Sequence, residues 1–139
     1  MTIAMISAAA CAAPGPPPSP AARSLLRQAD EGLREAEMAP DAARRFSAAY
    51  LAALRAGAAV LAVRAQPAGR RRGGRSVWQL LAVVAPELGE WAAFFAAGSS
   101  TRAAVEAGNT RLVSQRSADD LMRQVEQFVE VSRSLVCSR

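Results

Sequence analysis

Every positively charged side chain in this 139-residue chain is an arginine. There are 17, set against 12 Asp and Glu, with no lysine and no histidine, for a formal charge of +5. Arginine holds phosphate or carboxylate through a planar fork of donors but does not give up its proton near neutrality, so it binds and stabilises anions without acting as a base. The missing histidine removes imidazole catalysis, His-ligated metals and histidine pH switching. The missing lysine removes Schiff-base chemistry and a P-loop lysine. Cys11 and Cys137 are too few for a structural zinc site and form no C-x-x-C pair. Glu87 and Glu90 share a face, and Asp30, Glu31, Glu35 and Glu37 do so in part. Carboxylate metal sites in helical bundles add Glu-x-x-His pairs. Without them each cluster reads as a solvated face, and no cofactor or metal is expected.

The positive charge is concentrated. Arg64, Arg70, Arg71, Arg72 and Arg75 lie in one stretch without an acid, and the other 12 arginines balance the 12 carboxylates. Pro67, Gly69, Gly73 and Gly74 make this stretch a loop. A cationic loop suits RNA or another polyanion, or serves simply as a solubilising surface. If about four of its arginines meet phosphates, log affinity falls against log salt with a slope of about −3 to −4. No aromatic residue is interleaved with them to stack on bases.

The elements that must position these residues are helical. Residues 1–19 read as an Ala/Pro-rich disordered tail, with the proline run as a stiff spacer and no basic n-region of a signal peptide. Residues 20–137 read as one helical domain. Ser19-Pro20 starts a first helix with Ala22, Leu25, Leu26, Ala29, Leu33 and Ala36 on one face, and with Asp30 and Arg34 expected to pair on the other. Pro40 separates it from a second helix, Asp41 to about Val63. There Ala49, Ala53 and Gly57 recur every four residues, allowing close packing inside the domain or, less favoured, across a homodimer. Phe46 to Val63 is the longest apolar run. Arg55 at its middle argues for a buried core helix and no membrane span. Ser76 and Gln79 form a capping box for a third helix that Pro86 must kink or split, with Glu87 to Ala97 as its continuation. Trp78, Leu81, Trp91, Phe94 and Phe95 there read as core volume. A short helix from about Ser100 to Ala107 ends at Gly108-Asn109. The last helix starts near Ser114 or Ser117. It buries Ala118, Leu121, Met122, Val125, Phe128, Val129, Leu135 and Val136, interrupted only by Ser132. Asp119 and Asp120 fall in its first turn, where the macrodipole favours negative charge. Short connections imply antiparallel neighbours. The expected fold is all-α, an up-down antiparallel bundle of four main helices plus one short helix.

The run from Arg45 to Arg55 (RFSAAYLAALR), the run Ser76-Val77-Trp78-Gln79-Leu80-Leu81 with Ala85-Pro86-Glu87-Leu88, and the run from Val113 to Leu121 (VSQRSADDL) resemble small actinobacterial HEPN-domain proteins. The likeness covers roughly Ala21 to Val136. It implies a helical bundle that often dimerises and, in active members, a ribonuclease site of Arg, four to six residues, then His. The resemblance puts the motif arginine near Arg116 and the histidine at Leu121, Met122 or Arg123, none of which is one. An exposed Asp119 or Asp120 is a poor substitute base at neutral pH.

Three readings follow. The first is a non-catalytic, cytoplasmic HEPN-like binding module that takes RNA or another polyanion on Arg70, Arg71, Arg72, Arg75 and Arg116. The second is a ribonuclease with an altered site around Arg116. The third is a scaffold that recognises protein alone.

Overall fold

A computed structural model describes residues 19–64 and 76–138. The tail at residues 1–18 and the loop arginines Arg70, Arg71, Arg72 and Arg75 lie outside the described residues. Six α-helices follow in order: α1 Pro20–Glu37, α2 Ala42–Arg64, α3 Val77–Val84, α4 Gly89–Ala97, α5 Ser99–Glu106 and α6 Gln115–Cys137. Short 3-10 turns precede α4 (Pro86–Leu88) and α6 (Thr110–Leu112). There is no strand among the described residues.

Local chemistry starts and stops these helices where the sequence says it should. The Ser19 hydroxyl accepts the Ala22 N–H at 3.1 Å, one of the donors a helix N-terminus leaves unmatched. Ser76 and Gln79 form a reciprocal capping box. Ser114 and Ser117 do the same ahead of α6, so Ser114 is the cap and Ser117 its partner. Pro86 has no N–H to continue α3, and the chain passes through a 3-10 turn before α4 resumes. Past α5 the chain turns at Gly108, whose φ of +103° is a left-handed conformation open to glycine.

Helix α2 is the centre. Ala49, Ala53, Ala56 and Ala59 are fully buried, and Ala43, Ala52, Gly57 and Val60 are buried with them. Buried residues cover a broad arc of the helix, leaving Arg44, Leu51 and Ala62 on the exposed side, so neighbours close in from more than one direction. Its most extensive contacts are with α1, then with α6. Gly32 of α1 comes so near that a Cβ there would sit 3.2 Å from the Ala52 Cβ. On another side, a Cβ on Gly57 would meet Val77 at 3.2 Å and Trp78 at 3.3 Å. The Ala49, Ala53 and Gly57 stripe is thus used inside the domain, not across a homodimer. Among the described residues α2 is the one helix long and apolar enough to cross a membrane, and it is this packed core helix.

Side-chain pairings give the direction of each helix. The end of α1 lies beside the start of α2, where Arg45 bonds the Ala36 and Glu37 carbonyls. Trp78 of α3 lies by Gly57, and Phe95 of α4 accepts from Tyr50, so α3 and α4 run back along α2. Helix α6 restarts at the Arg45 end, through Asp119. This is the up-down bundle of four main helices, with α3 and α4 as the two halves of the third and α5 as the short addition. Trp78, Phe95 and Phe128 seal the bundle: Trp78 stacks on Phe95 at 4.9 Å and Phe95 meets Phe128 at 5.0 Å between ring centroids. The Tyr50 hydroxyl donates to the Phe95 carbonyl at 2.6 Å and accepts from Trp78 Nε1 at 3.1 Å. The Tyr50 hydroxyl and the Trp78 N–H are thereby matched, as burial demands. Burial is the main cause that pushes the Tyr50 pKa up.

Two ion pairs differ from expectation. Asp30 does not bind Arg34 along α1; it binds Arg133 of α6 at 2.6 Å. Arg64 is not part of a free cationic loop; its guanidinium meets Glu87 at 2.6 Å. Asp30 takes a partner on another helix in place of its neighbour in sequence, and Arg64 takes an acid from the 3-10 turn ahead of α4.

Two stability outcomes follow. Gly57→Leu forces extra volume against Val77 and Trp78 and should cost about 1–3 kcal/mol. Gly89→Ala, with nothing within 4 Å of the new Cβ, should be neutral or stabilise by up to about 1 kcal/mol. Urea melts followed by circular dichroism separate the two. Tyr50→Phe strands the Trp78 N–H, while the Phe95 carbonyl keeps the Gly98 N–H at 3.0 Å, and should cost about 1–3 kcal/mol in the same assay.

Candidate functional site

The head of α6 gathers most of the described polar residues that the sequence singled out. Arg116 stands exposed in the first turn of the helix, and its side chain makes no ion pair with a described residue. Asp119 and Asp120 follow. Instead of answering only to the helix dipole, both are held by arginines. Arg45 Nη1 donates to Asp119 Oδ1 at 2.6 Å, and Gln115 adds a bond to the same oxygen at 3.2 Å. Arg123 closes on Asp120 one turn further along.

Arg45 does more than neutralise Asp119. Its Nε donates to the Ala36 carbonyl at 3.0 Å and its Nη2 to the Glu37 carbonyl at 3.1 Å. Both belong to the last turn of α1, where helical N–H donors run out; the Ala36 carbonyl also accepts the Ala39 N–H at 3.2 Å. One guanidinium therefore ties the end of α1 and the start of α6 to the start of α2. The Arg45 hydrogen bond holds the Asp119 carboxyl below the usual aspartate range, helped by Gln115 and by the charges of Arg45 and Arg123. The contribution of this carboxylate to stability is therefore present at neutral pH. It is lost as the pH falls below the ordinary value of 3.8 and through the lower folded one.

Beside the α6 head lies an open groove of about 610 Å3. Tyr50 of α2, Phe94 of α4 and Leu121 of α6 line it, with Leu112 of the preceding 3-10 turn, and Asp120 and Arg123 form one wall. Phe95 packs in the core at 1% exposure, while Phe94 beside it is 46% exposed and Leu112 is 55% exposed. Arg102 of α5 lies over the Tyr50 ring at 5.5 Å, a cation–π contact. A second hollow, about 510 Å3, lies at the α4 start between Glu87, Glu90 and Trp91. There the Arg64 hydrogen bond lowers the Glu87 pKa, which leaves Glu90 as the acid without that clamp. No group of three or more metal-ligating side chains occurs among the described residues.

The positions where the resemblance looks for a histidine can now be placed. Leu121 is buried at 8% exposure in the core, Met122 packs against it, and Arg123 is paired with Asp120. The model of the SAV_6107-like HEPN family matches residues 36–133. The chain belongs to this HEPN family. The matched segment runs from the end of α1 to the last turns of α6, so it spans the α2 core, the groove and the α6 head. No curated protein and no solved structure matches the chain.

Of the five arginines expected to meet an anion, Arg116 is the one that lies within the described residues of this HEPN domain. Sequence reasoning missed Arg45, Arg102 and the exposed Phe94. A signal for Phe94 existed: adjacent helical residues point about 100° apart, so Phe94 and Phe95 cannot both face one core. The Arg45 clamp had no such signal, because its partners lie in two other helices, α1 and α6.

Arg45→Ala removes three hydrogen bonds at once and should lower stability by about 2 kcal/mol at pH 7. Asp119→Asn should leave a protein whose thermal stability falls less steeply than that of the natural chain as the pH drops from 5 to about 2.5. Melting curves across that range test both.

Proposed function

We propose that the protein is a non-catalytic HEPN binding module that holds a polyanion, RNA foremost, on Arg70, Arg71, Arg72 and Arg75 together with Arg116. The observation that carries this reading is the α6 head. It presents an exposed arginine but no group able to take a proton near neutrality. Leu121 and Met122 are apolar, Arg123 is a cation, and the whole chain lacks histidine. Cleavage of RNA at the ribose 2′-OH needs a base positioned on that hydroxyl. The two nearest acids, Asp119 and Asp120, are both engaged by arginines, and lowering the Asp119 pKa makes it a weaker base still. Arginine alone supplies charge stabilisation and binding. The excess charge supports the same reading. Arg44, Arg45, Arg64, Arg123 and Arg133 are spent on ion pairs inside the domain. By contrast, Arg70, Arg71, Arg72 and Arg75 belong to a segment with no acid of its own.

Binding of a fluorescent single-stranded RNA, measured by anisotropy between about 50 and 300 mM salt, tests the assignment. The natural chain should show a slope of log affinity against log salt of about −3 to −4. Replacing Arg70, Arg71, Arg72 and Arg75 by alanine should flatten it by about 3, and Arg116→Ala by about 1. The RNA should be recovered intact. An unchanged slope removes the loop from the contact, and cleavage that vanishes in Arg116→Ala makes the protein a nuclease.

A further inference from the structure

We infer that the groove beside the α6 head is a docking site for an acidic, amphipathic peptide segment of a partner protein, sharing Arg116 but no apolar residue with the polyanion contact proposed above. Three features carry this. The first is unpartnered apolar surface in one place: Phe94 and Leu112 are 46% and 55% exposed and line the same hollow of about 610 Å3. Lone exposed hydrophobic residues are common, but two large ones on one concave surface mark an interaction site. The second is the chemistry of its lining. Tyr50 and Leu121 present apolar edges, and the volume has room for more than one large side chain, as in helix-in-groove recognition.

The third is the charge around it. The acids at the head of α6 are already taken, Asp119 by Arg45 and Asp120 by Arg123. Arg111, next to Leu112, and Arg116, next to the lining residue Ser117, have no acidic partner among the described residues. An apolar slot flanked by two unmatched arginines complements a helix with large apolar residues three or four positions apart and Asp or Glu beside them. The lining favours peptide over RNA. The exposed lining is apolar side chain from Phe94 and Leu112, and the arginine in it, Arg123, is closed on Asp120, so the hollow gives a phosphate backbone no free cation to track.

A library of random 16-residue peptides displayed on phage and selected on the full chain tests the inference. Enriched sequences should carry two or more of Leu, Phe, Trp or Met at helical spacing, flanked by Asp or Glu. A synthetic peptide of that consensus should lose about thirtyfold in affinity on Phe94→Asp or Leu112→Asp. It should lose roughly threefold to tenfold on Arg111→Glu with Arg116→Glu. Both apolar positions are exposed, so circular dichroism should report an intact fold. Phe94→Ala supplies the same readout should the aspartate variant melt. Four results would overturn the proposal: no enrichment, a basic or wholly polar consensus, peptide binding indifferent to Phe94 and Leu112, or loss of single-stranded RNA binding or of self-association on Phe94→Asp.

Discussion

The structure depends on one helix whose close-packed positions are alanine and glycine. Where a central helix presents Leu or Phe, its neighbours are held at ordinary interaxial distance and only one face is shared. Helix α2 instead presents Ala49, Ala52, Ala53, Ala56, Gly57 and Ala59, all buried. Gly32 of α1 reaches it on one side and Val77 and Trp78 of α3 on another. Close backbone approach replaces side-chain volume with many short contacts, each small and additive. The bulk that α2 lacks is supplied from outside by Trp78, Phe95 and Phe128. The same arrangement explains how an apolar helix of 23 residues with Arg55 at its middle is a bundle core.

A second constraint is electrostatic. A chain whose only cation is arginine has a donor that is always charged and always forked, and the domain uses it as a fastener. Arg45 binds two carbonyls at the end of α1 and a carboxylate of α6, Arg133 reaches from α6 to Asp30 of α1, and Arg64 fixes the end of α2 to Glu87. Pairs this exposed each contribute little, but they specify which helix ends meet. They also divide the arginines by role: those paired across elements hold the bundle, while Arg111 and Arg116, without acids to meet, face outward at the α6 head.

That head is where fold and function join. In this HEPN domain the surface keeps an arginine and an apolar hollow but no imidazole, and its carboxylates are committed to cations. The binding role proposed for the domain would draw on the donors and the apolar contact area of this surface.

Much of the architecture was legible beforehand, because it rests on local rules. Ser19, Ser76 and Ser114 cap helices through atoms at most three residues away, Pro86 breaks α3 through its own missing N–H, and the apolar stripe of α6 is a matter of period. The amino-acid sequence by itself therefore determined the all-α class, the helix limits, the α6 core face and the exclusion of imidazole chemistry. The choice of partners across helices was decided by tertiary structure alone. Asp30 has Arg34 four residues away yet binds Arg133, and Asp119 at a helix start binds Arg45 from another element. The groove likewise exists only where α2, α4, α6 and the turn at Leu112 converge. Caps and periods act over one or two turns of chain, whereas an ion pair or a hollow depends on which distant surfaces packing brings within a few ångströms.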